Sequence, residues 1–332
     1  MAGTLSTTSG ISDQFQTHFS KKLLDYAVQS LKLDQFASKA GLPKNTGSKA
    51  IRFFRYGEPA TTDVQSLTEG GPTGAPPFME VANYRALSLS TVDVTLAQYG
   101  EVIGVSDILS ATDLLGTLKQ ASKTGGEDAA LKCDTLIRDE LVENGSTERF
   151  SRQSDGTANS SFSDLGTNSG VMKAIDLLDA VTNLKVNRAP QIDGSYVAVM
   201  APQASRDLMN DTDWLEAHKY SDVKALYKGE AGSSHGVRVV EATNPYREAV
   251  GTEDTHSSSG TIFSTIVTGD NAYGVPALEG DSPMSPKIMV TDTPDKSDPL
   301  NQMTTIGWKL FYAAKILNGN FVLNLRSTSN YA

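Results

Sequence analysis

Between Ala50 and Asn144 the spacing of apolar residues changes character three times, and each change predicts a different element. Residues 49–56 (KAIRFFRY) place Ile51 and Phe53 in alternation with Arg52, and Arg55 follows as a second charge. That period of two predicts a strand. The period then vanishes across residues 57–83, which carry Pro59, Gly70, Gly71, Pro72, Gly74, Pro76 and Pro77. Proline stiffens a segment and removes ladder donors, and a loop of this length inside a compact domain usually has a function. With a strand on either side, the segment predicts a β-arm with a distinct tip. In the return strand, Tyr84–Ala97, Leu87 and Leu89 share one face while Val92, Val94 and Leu96 share the other. The buried face is therefore expected to switch near Ser90-Thr91, through a bulge or a passage between sheets.

A helical period follows. Leu118, Ala121, Gly125, Ala129, Cys133, Leu136 and Glu140 stay in phase across Gly125-Gly126. Two interior glycines cost about 1 kcal/mol each relative to Ala, yet a break there need not preserve the phase. The pattern predicts one rod over 112–144, with Thr112 as N-cap, Asp113 near the positive end of the dipole and Gly145 as the stop. Its length would be roughly 48 Å at ~1.5 Å per residue.

Ahead of this stretch, residues 1–48 read as an arm. Leu23, Leu24, Ala27, Leu31 and Leu33 give a helical spacing that Gly41-Leu42-Pro43 should end. The sequence leaves open whether this arm packs on its own domain or on a neighbour.

Beyond it, residues 146–168 form a Ser/Thr/Asn/Gly-rich connection. Val171, Ile175, Leu178 and Thr182 mark a helix that ends before Pro190. Tyr196–Met200 reads as a strand buried on both faces, and Pro202 as the first residue of a helix through about Met209. Further strands are expected at 236–241 and 263–267, with a polar loop over Pro245–Gly260 between them. Lys287–Val290, Thr304–Leu317 and Phe321–Leu325 read as strands returning to the body that holds the long helix. The class is α+β, without an internal repeat.

Composition narrows the function. The chain has 332 residues, 39% hydrophobic and 20% charged, which is enough for about two domains with a sizeable core. No run approaches the ~18 apolar residues a membrane helix needs. The polar start MAGTLSTTSGISDQF has no apolar signal core and argues against secretion. Cys133 is the single cysteine, so no intrachain disulfide forms and a cytoplasmic origin is favoured. The net charge is −10, and no basic cluster exceeds Lys21-Lys22. Both features argue against a protein that grips nucleic acid.

Catalytic chemistry finds no foothold. His18, His218, His235 and His256 lack a metal-ligand spacing, and one cysteine cannot build a thiolate zinc site. No nucleophile elbow, phosphate loop or dinucleotide fingerprint occurs. Asp211, Asp213 and Glu216 are the nearest approach to a carboxylate cluster and read as a solvated helix start. Cys133 reads as a small buried hydrophobe. Trp308 reads as core, whereas Trp214 suits either core or a subunit contact.

Several landmarks together resemble a known family. They are 47–56 (GSKAIRFFRY), 67–70 (LTEG), 98–100 (QYG) followed by 105–107 (VSD), and 236–241 (GVRVVE). Residues 298–302 (DPLNQ) then lead to 307–309 (GWK) and 316–318 (ILN). In this order they resemble the N-four-type major capsid proteins of tailed phages. The resemblance implies the HK-ninety-seven-type capsid fold. Its N-terminal arm would be 1–48 and its extended loop 49–85. A peripheral domain with the spine helix 112–144 would comprise 86–165 and 285–332, and an axial domain 166–284. It implies no catalytic residue, cofactor or metal.

The implied role is self-assembly into an icosahedral virion head around double-stranded DNA. The implied partners are further copies in hexamers and pentamers, a portal, a separate scaffolding protein and decoration proteins, with no membrane and no specific nucleic-acid binding. Assembly would take place in the host cytoplasm. Leu67, Glu69, Phe78 and Met79 would lie on a neighbour, and Arg52, Arg55 and Arg85 would either pair with its acidic groups or remain solvated strand residues. An encapsulin-like compartment uses the same fold and is the alternative; a co-packaged enzyme in place of DNA would distinguish it.

Overall fold

The computed structural model describes residues 32–42, 49–57, 88–112, 117–153, 155–162, 164–165, 170–219, 232–249, 261–278, 287–291, 298–300 and 302–331. At its centre is a seven-stranded sheet. The central strands are β6 (Tyr196–Met200), β10 (Thr261–Thr268) and β15 (Val322–Ser327), with β10 antiparallel to both neighbours. Outward from β15 lies β5 (Thr147–Phe150). Outward from β6 lie β8 (Val237–Glu241) and β7 (Ser233–Ser234), while β9 (Tyr246–Ala249) extends along β10. Every residue of β6 and β15 is buried. A continuous apolar run such as Tyr-Val-Ala-Val-Met needs cover on both faces, and it has it.

Side-chain alternation divides each central strand between two cores. Val197, Val199, Ile266 and Val322 face a core shared with the long helix α2 (Thr117–Glu143). Tyr196, Ala198, Met200, Val267, Leu323 and Leu325 face the other core, shared with α3 (Ala174–Val186), α4 (Pro202–Met209) and Trp214 of α5 (Thr212–Lys219). The sheet thus joins strands from either side of the division expected near residue 285.

The long helix is one unbroken element of 27 residues, about 40 Å at ~1.5 Å per residue, and Gly125 and Gly126 lie buried within it. Ala121, Gly125, Ala129 and Cys133 are buried as their spacing required. Its start differs from expectation. Thr112 is the last residue of a separate short helix, α1 (Asp107–Thr112), and not an N-cap of the rod; residues 113–116 lie outside the described residues. At the other end Asn324 Nδ2 donates to the carbonyls of Leu141 (3.0 Å) and Val142 (3.4 Å), satisfying groups a helix end leaves open. A Cβ at Gly145 would come within 2.5 Å of the Leu141 carbonyl oxygen, so only glycine fits at this stop.

Two smaller sheets flank α2. In one, β4 (Ala97–Ser106) pairs antiparallel along its whole length with β13 (Met303–Tyr312), and β12 (Lys287–Thr291) covers the far side of β13. In the other, β1 (Ser38–Leu42), β11 (Tyr273–Leu278) and β14 (Lys315–Ile316) run side by side.

Several expectations need correction. Gly41 and Leu42 do not end a helix, because Ser38–Leu42 pairs in parallel with β11 after a short 3-10 turn over Leu33–Phe36. Residues 1–31, which carry the rest of the expected arm helix, lie outside the described residues. Ile175, Leu178 and Thr182 do not face the core. The buried side of α3 is Ala174, Leu177, Ala180, Val181 and Leu184. This helix carries two apolar stripes, and the sheet selects the one whose small residues allow closer approach. The connection after α2 contains β5, and the stretch after Pro245 contains β9; the rest of that loop, 250–260, lies outside the described residues.

Candidate functional site

The strongest candidate surface is a two-stranded ribbon, β2 (Ala50–Tyr56) against β3 (Leu89–Thr95). Its register runs without interruption from Ala50 opposite Thr95 to Tyr56 opposite Leu89. There is accordingly no bulge at Ser90-Thr91. The change of face comes later, where Leu96 separates β3 from β4. Val92, Val94 and Leu96 point inward before it, and Tyr99, Ile103 and Val105 after it. The change does mark a passage between sheets, from the ribbon to the β12–β13–β4 sheet.

The inward face of the ribbon is anchored to its own chain. The Phe53 ring lies against Gly274, where a Cβ would come within 3.1 Å of its Cζ. Arg55 Nη1 donates to Asn318 Oδ1 at 2.8 Å. At the outer end the Gly57 N–H donates to the Ser88 carbonyl at 2.9 Å. Gly57 and Ser88 thus close the outer end of the ribbon as its last described pair.

The outward face is different. Phe54 is 64%, Tyr56 66% and Leu89 51% exposed, and Tyr56 stands directly opposite Leu89. Beside them Arg52 donates two hydrogen bonds to Asp93, Nε to Oδ1 at 2.6 Å and Nη2 to Oδ2 at 2.8 Å. The guanidinium's hydrogen bond holds the Asp93 carboxyl below the usual range, and the carboxylate in turn raises Arg52. The two charges neutralise each other, so this face presents aromatic surface at little electrostatic cost. Exposed aromatics clustered on one face are characteristic of contact surfaces.

The other sequence-derived contact residues divide into three groups. Arg52 and Arg55 find partners within the chain, as described. Trp214 is 4% exposed and belongs to the second core of its own chain, so the core reading replaces the subunit-contact one. Leu67, Glu69, Phe78, Met79 and Arg85 lie outside the described residues. The aromatic face of Phe54 and Tyr56 was not singled out from the sequence, although their even positions alongside Arg52 carried the signal.

The polar groups that drew attention serve the architecture. Asp211 Oδ2 accepts the Ala174 N–H at 2.9 Å, at the start of α3. Cys133 is fully buried, and burial pushes its thiol pKa far up. Among the described residues no cluster of three or more His, Cys, Asp or Glu side chains is placed to hold a metal ion.

Residues 141–285 match a family model described as phage capsid protein. Among solved structures, the chain is similar to the capsid of cyanophage P-SCSP1u, with 16% identity, 90% of this chain and 89% of that chain covered, and a TM-score of 0.62. It is similar to the acid-stable capsid of Helicobacter pylori bacteriophage KHP30, with 11% identity, 87% of each chain covered and a TM-score of 0.64. This chain has the HK-ninety-seven-type capsid fold. The holo-SrpI encapsulin complex from Synechococcus elongatus PCC 7942 is also similar, with 9% identity, 90% of this chain and 88% of that chain covered, and a TM-score of 0.54. No curated protein matches the sequence. The matched family and the fold are those of structural proteins, not of enzymes.

Proposed function

We propose that this chain is the major capsid protein of a tailed phage. Copies of it assemble into the icosahedral head that encloses the double-stranded DNA genome. The observation that carries this reading is the ribbon on a capsid fold, with one face fixed to the body and the other a patch of Phe54, Tyr56 and Leu89 open to a neighbour. Each contact between copies is modest. Closure multiplies them, because a subunit held at one edge meets the next at high effective concentration.

In this reading 1–48 is the N-terminal arm, 49–85 the extended loop, 86–165 with 285–332 the peripheral domain, and 166–284 the axial domain. The loop lies across an adjacent subunit through Leu67, Glu69, Phe78 and Met79, with Arg85 near its return. Its prolines restrict the free conformations and so reduce the entropy lost on docking. Copies group into hexamers and pentamers, a portal and a separate scaffolding protein take part, and decoration proteins sit on the finished shell. Assembly takes place in the host cytoplasm.

The test is negative-stain microscopy of the purified chain, with the expected result of uniform shells tens of nanometres across. Deleting Thr61 to Phe78 should give folded, soluble subunits and no shells; normal particles from that variant refute the docking role of the loop. The similarity to the encapsulin complex supports a second reading, a protein compartment. Shells isolated from the native source that contain an enzyme in place of DNA would favour it.

A further inference from the structure

Among the described residues, strand β4 is an edge of its sheet. β13 pairs with all ten of its residues on one side, and among the described residues no strand pairs on the other. A strand directs its N–H and C=O groups alternately to the two sides, so half of these groups face away from β13. Proteins usually guard such an edge with lysine, proline, a bulge or a covering element. The sequence AQYGEVIGVS has none of the residue guards: Glu101 is its single charge, and it lacks Lys and Pro. Its register with β13 runs from Ala97 to Ser106 without a bulge.

The centre of the edge is symmetric. Val102 is 69% exposed and lies midway between Gly100 and Gly104 on the same outward face. Gly307 stands opposite it on β13. Val102 thus projects among three glycines, while the Met303 side chain lies over Gly104, and Thr305 and Lys309 of β13 stand opposite Gly104 and Gly100. Consider a second β4 laid antiparallel on this edge about a two-fold axis through Val102. Val102 meets Val102 of the copy, Gly100 meets Gly104, and Gln98 meets Ser106. Glu101 falls opposite Ile103 and not opposite another Glu101, which avoids the destabilising like-charge pair. The same strand therefore supplies both halves of a self-complementary contact, as a two-fold interface requires.

We propose that this edge of β4 pairs antiparallel with β4 of a second copy, centred on Val102. This joins two β12–β13–β4 sheets into one continuous six-stranded sheet. The proposal rests on the shell-forming reading for its place in the assembly, where it would link subunits of neighbouring capsomers across a two-fold axis. It is distinct from the aromatic ribbon face of β2 and β3.

The test uses disulfide trapping in the full chain. Cys133 is buried and its thiol is held protonated, so an introduced surface cysteine is the accessible thiol. Opposed Cα atoms in an antiparallel pair lie about 4.5–5.5 Å apart, within the ~4.4–6.8 Å span a disulfide bridges. Val102→Cys should link to itself under mild oxidation. Gln98→Cys and Ser106→Cys should each link to themselves several-fold less, and should link to each other when mixed. Amide exchange on the unsubstituted chain gives a second readout, with the outward-facing β4 amides slowing on assembly. Shells that form normally while Val102→Cys stays unlinked and β4 amides exchange freely overturn this contact and leave the capsid reading intact. Failure of the unsubstituted chain to form shells, with Val102→Cys pairs still present, overturns the capsid reading and supports the contact. Equal self-linking of Gln98→Cys overturns the register.

Discussion

Asp134 and Leu33 are 101 positions apart in the chain, yet Asp134 Oδ1 accepts the Leu33 N–H at 3.1 Å. The same oxygen accepts the Lys32 N–H at 3.3 Å. The carboxylate thus satisfies donors that open the 3-10 turn at Leu33–Phe36. Around it, the Tyr273 hydroxyl donates to the Leu33 carbonyl at 2.5 Å, and Lys39 Nζ reaches Asp34 Oδ2 at 2.8 Å. This cluster fixes residues 32–42 to the long helix of their own chain. Asp134→Ala strands two donors and should destabilise the chain by about 1–3 kcal/mol, read from denaturant unfolding. Amide exchange in residues 32–42 should rise more than in the central sheet, and unchanged exchange there would remove the anchor role.

Asp176 predicts a pH dependence of the less usual sign. Its carboxylate accepts the N–H groups of Arg152 (3.2 Å) and Lys173 (3.1 Å) at the start of α3, but burial outweighs them and pushes its pKa up to about 6 from 3.8. A raised carboxyl pKa means the folded state binds the proton more readily than the unfolded state. Its contribution to stability therefore increases as pH falls from above 6 toward about 4 and decreases as pH rises through 6. Asp176→Asn should remove up to one proton's worth of slope, ~1.4 kcal/mol per pH unit, from that window. Urea midpoints at several pH values measure it; identical slopes in the two proteins would show that Asp176 does not titrate there.

Trp214 separates a core role from a contact role. It is buried with Leu208, Leu177 and Phe263 in the second core. Trp214→Ala should cost the isolated subunit about 3–5 kcal/mol, seen as a lower melting temperature before any assembly. An unaltered subunit melting temperature combined with failed assembly would return Trp214 to an interface.

Much of this was readable where local pattern and tertiary environment agree. The long helix keeps its phase across Gly125-Gly126, and the small residues at 121, 125, 129 and 133 are all buried, Ala129 and Cys133 in the core shared with the sheets. Tyr196–Met200 read as buried on both faces because five apolar residues in succession leave no face for water. The readings failed where a neighbour decides. The α3 helix has apolar residues on two sides, and only the sheet determines that Leu177 and Leu184 face inward while Ile175 and Leu178 do not. Strands β5 and β9 are four residues each and owe their conformation to β15 and β10, which sequence cannot place beside them. Of the candidate contact residues, Arg52 illustrates the same limit: its partner, Asp93, lies across the ribbon, and the register that joins them is a tertiary fact.

The outward ribbon face yields the most direct test of assembly. Phe54 and Tyr56 project from β2 on the side away from Phe53 and Arg55, which do the anchoring. Replacing both by threonine preserves β propensity and removes apolar area that is already in water in the free subunit. Subunit stability should therefore change by no more than about 0.5 kcal/mol. If a neighbour covers this face, the same substitutions remove aromatic contact area from the interface, and a small loss per contact is repeated at every copy. The expected outcome is a subunit with an unchanged melting temperature that no longer forms shells at concentrations where the parent chain does. Sedimentation of matched samples distinguishes the two. Shells of equal yield from the double variant would mean that the ribbon's aromatic face stays in solvent in the assembled particle.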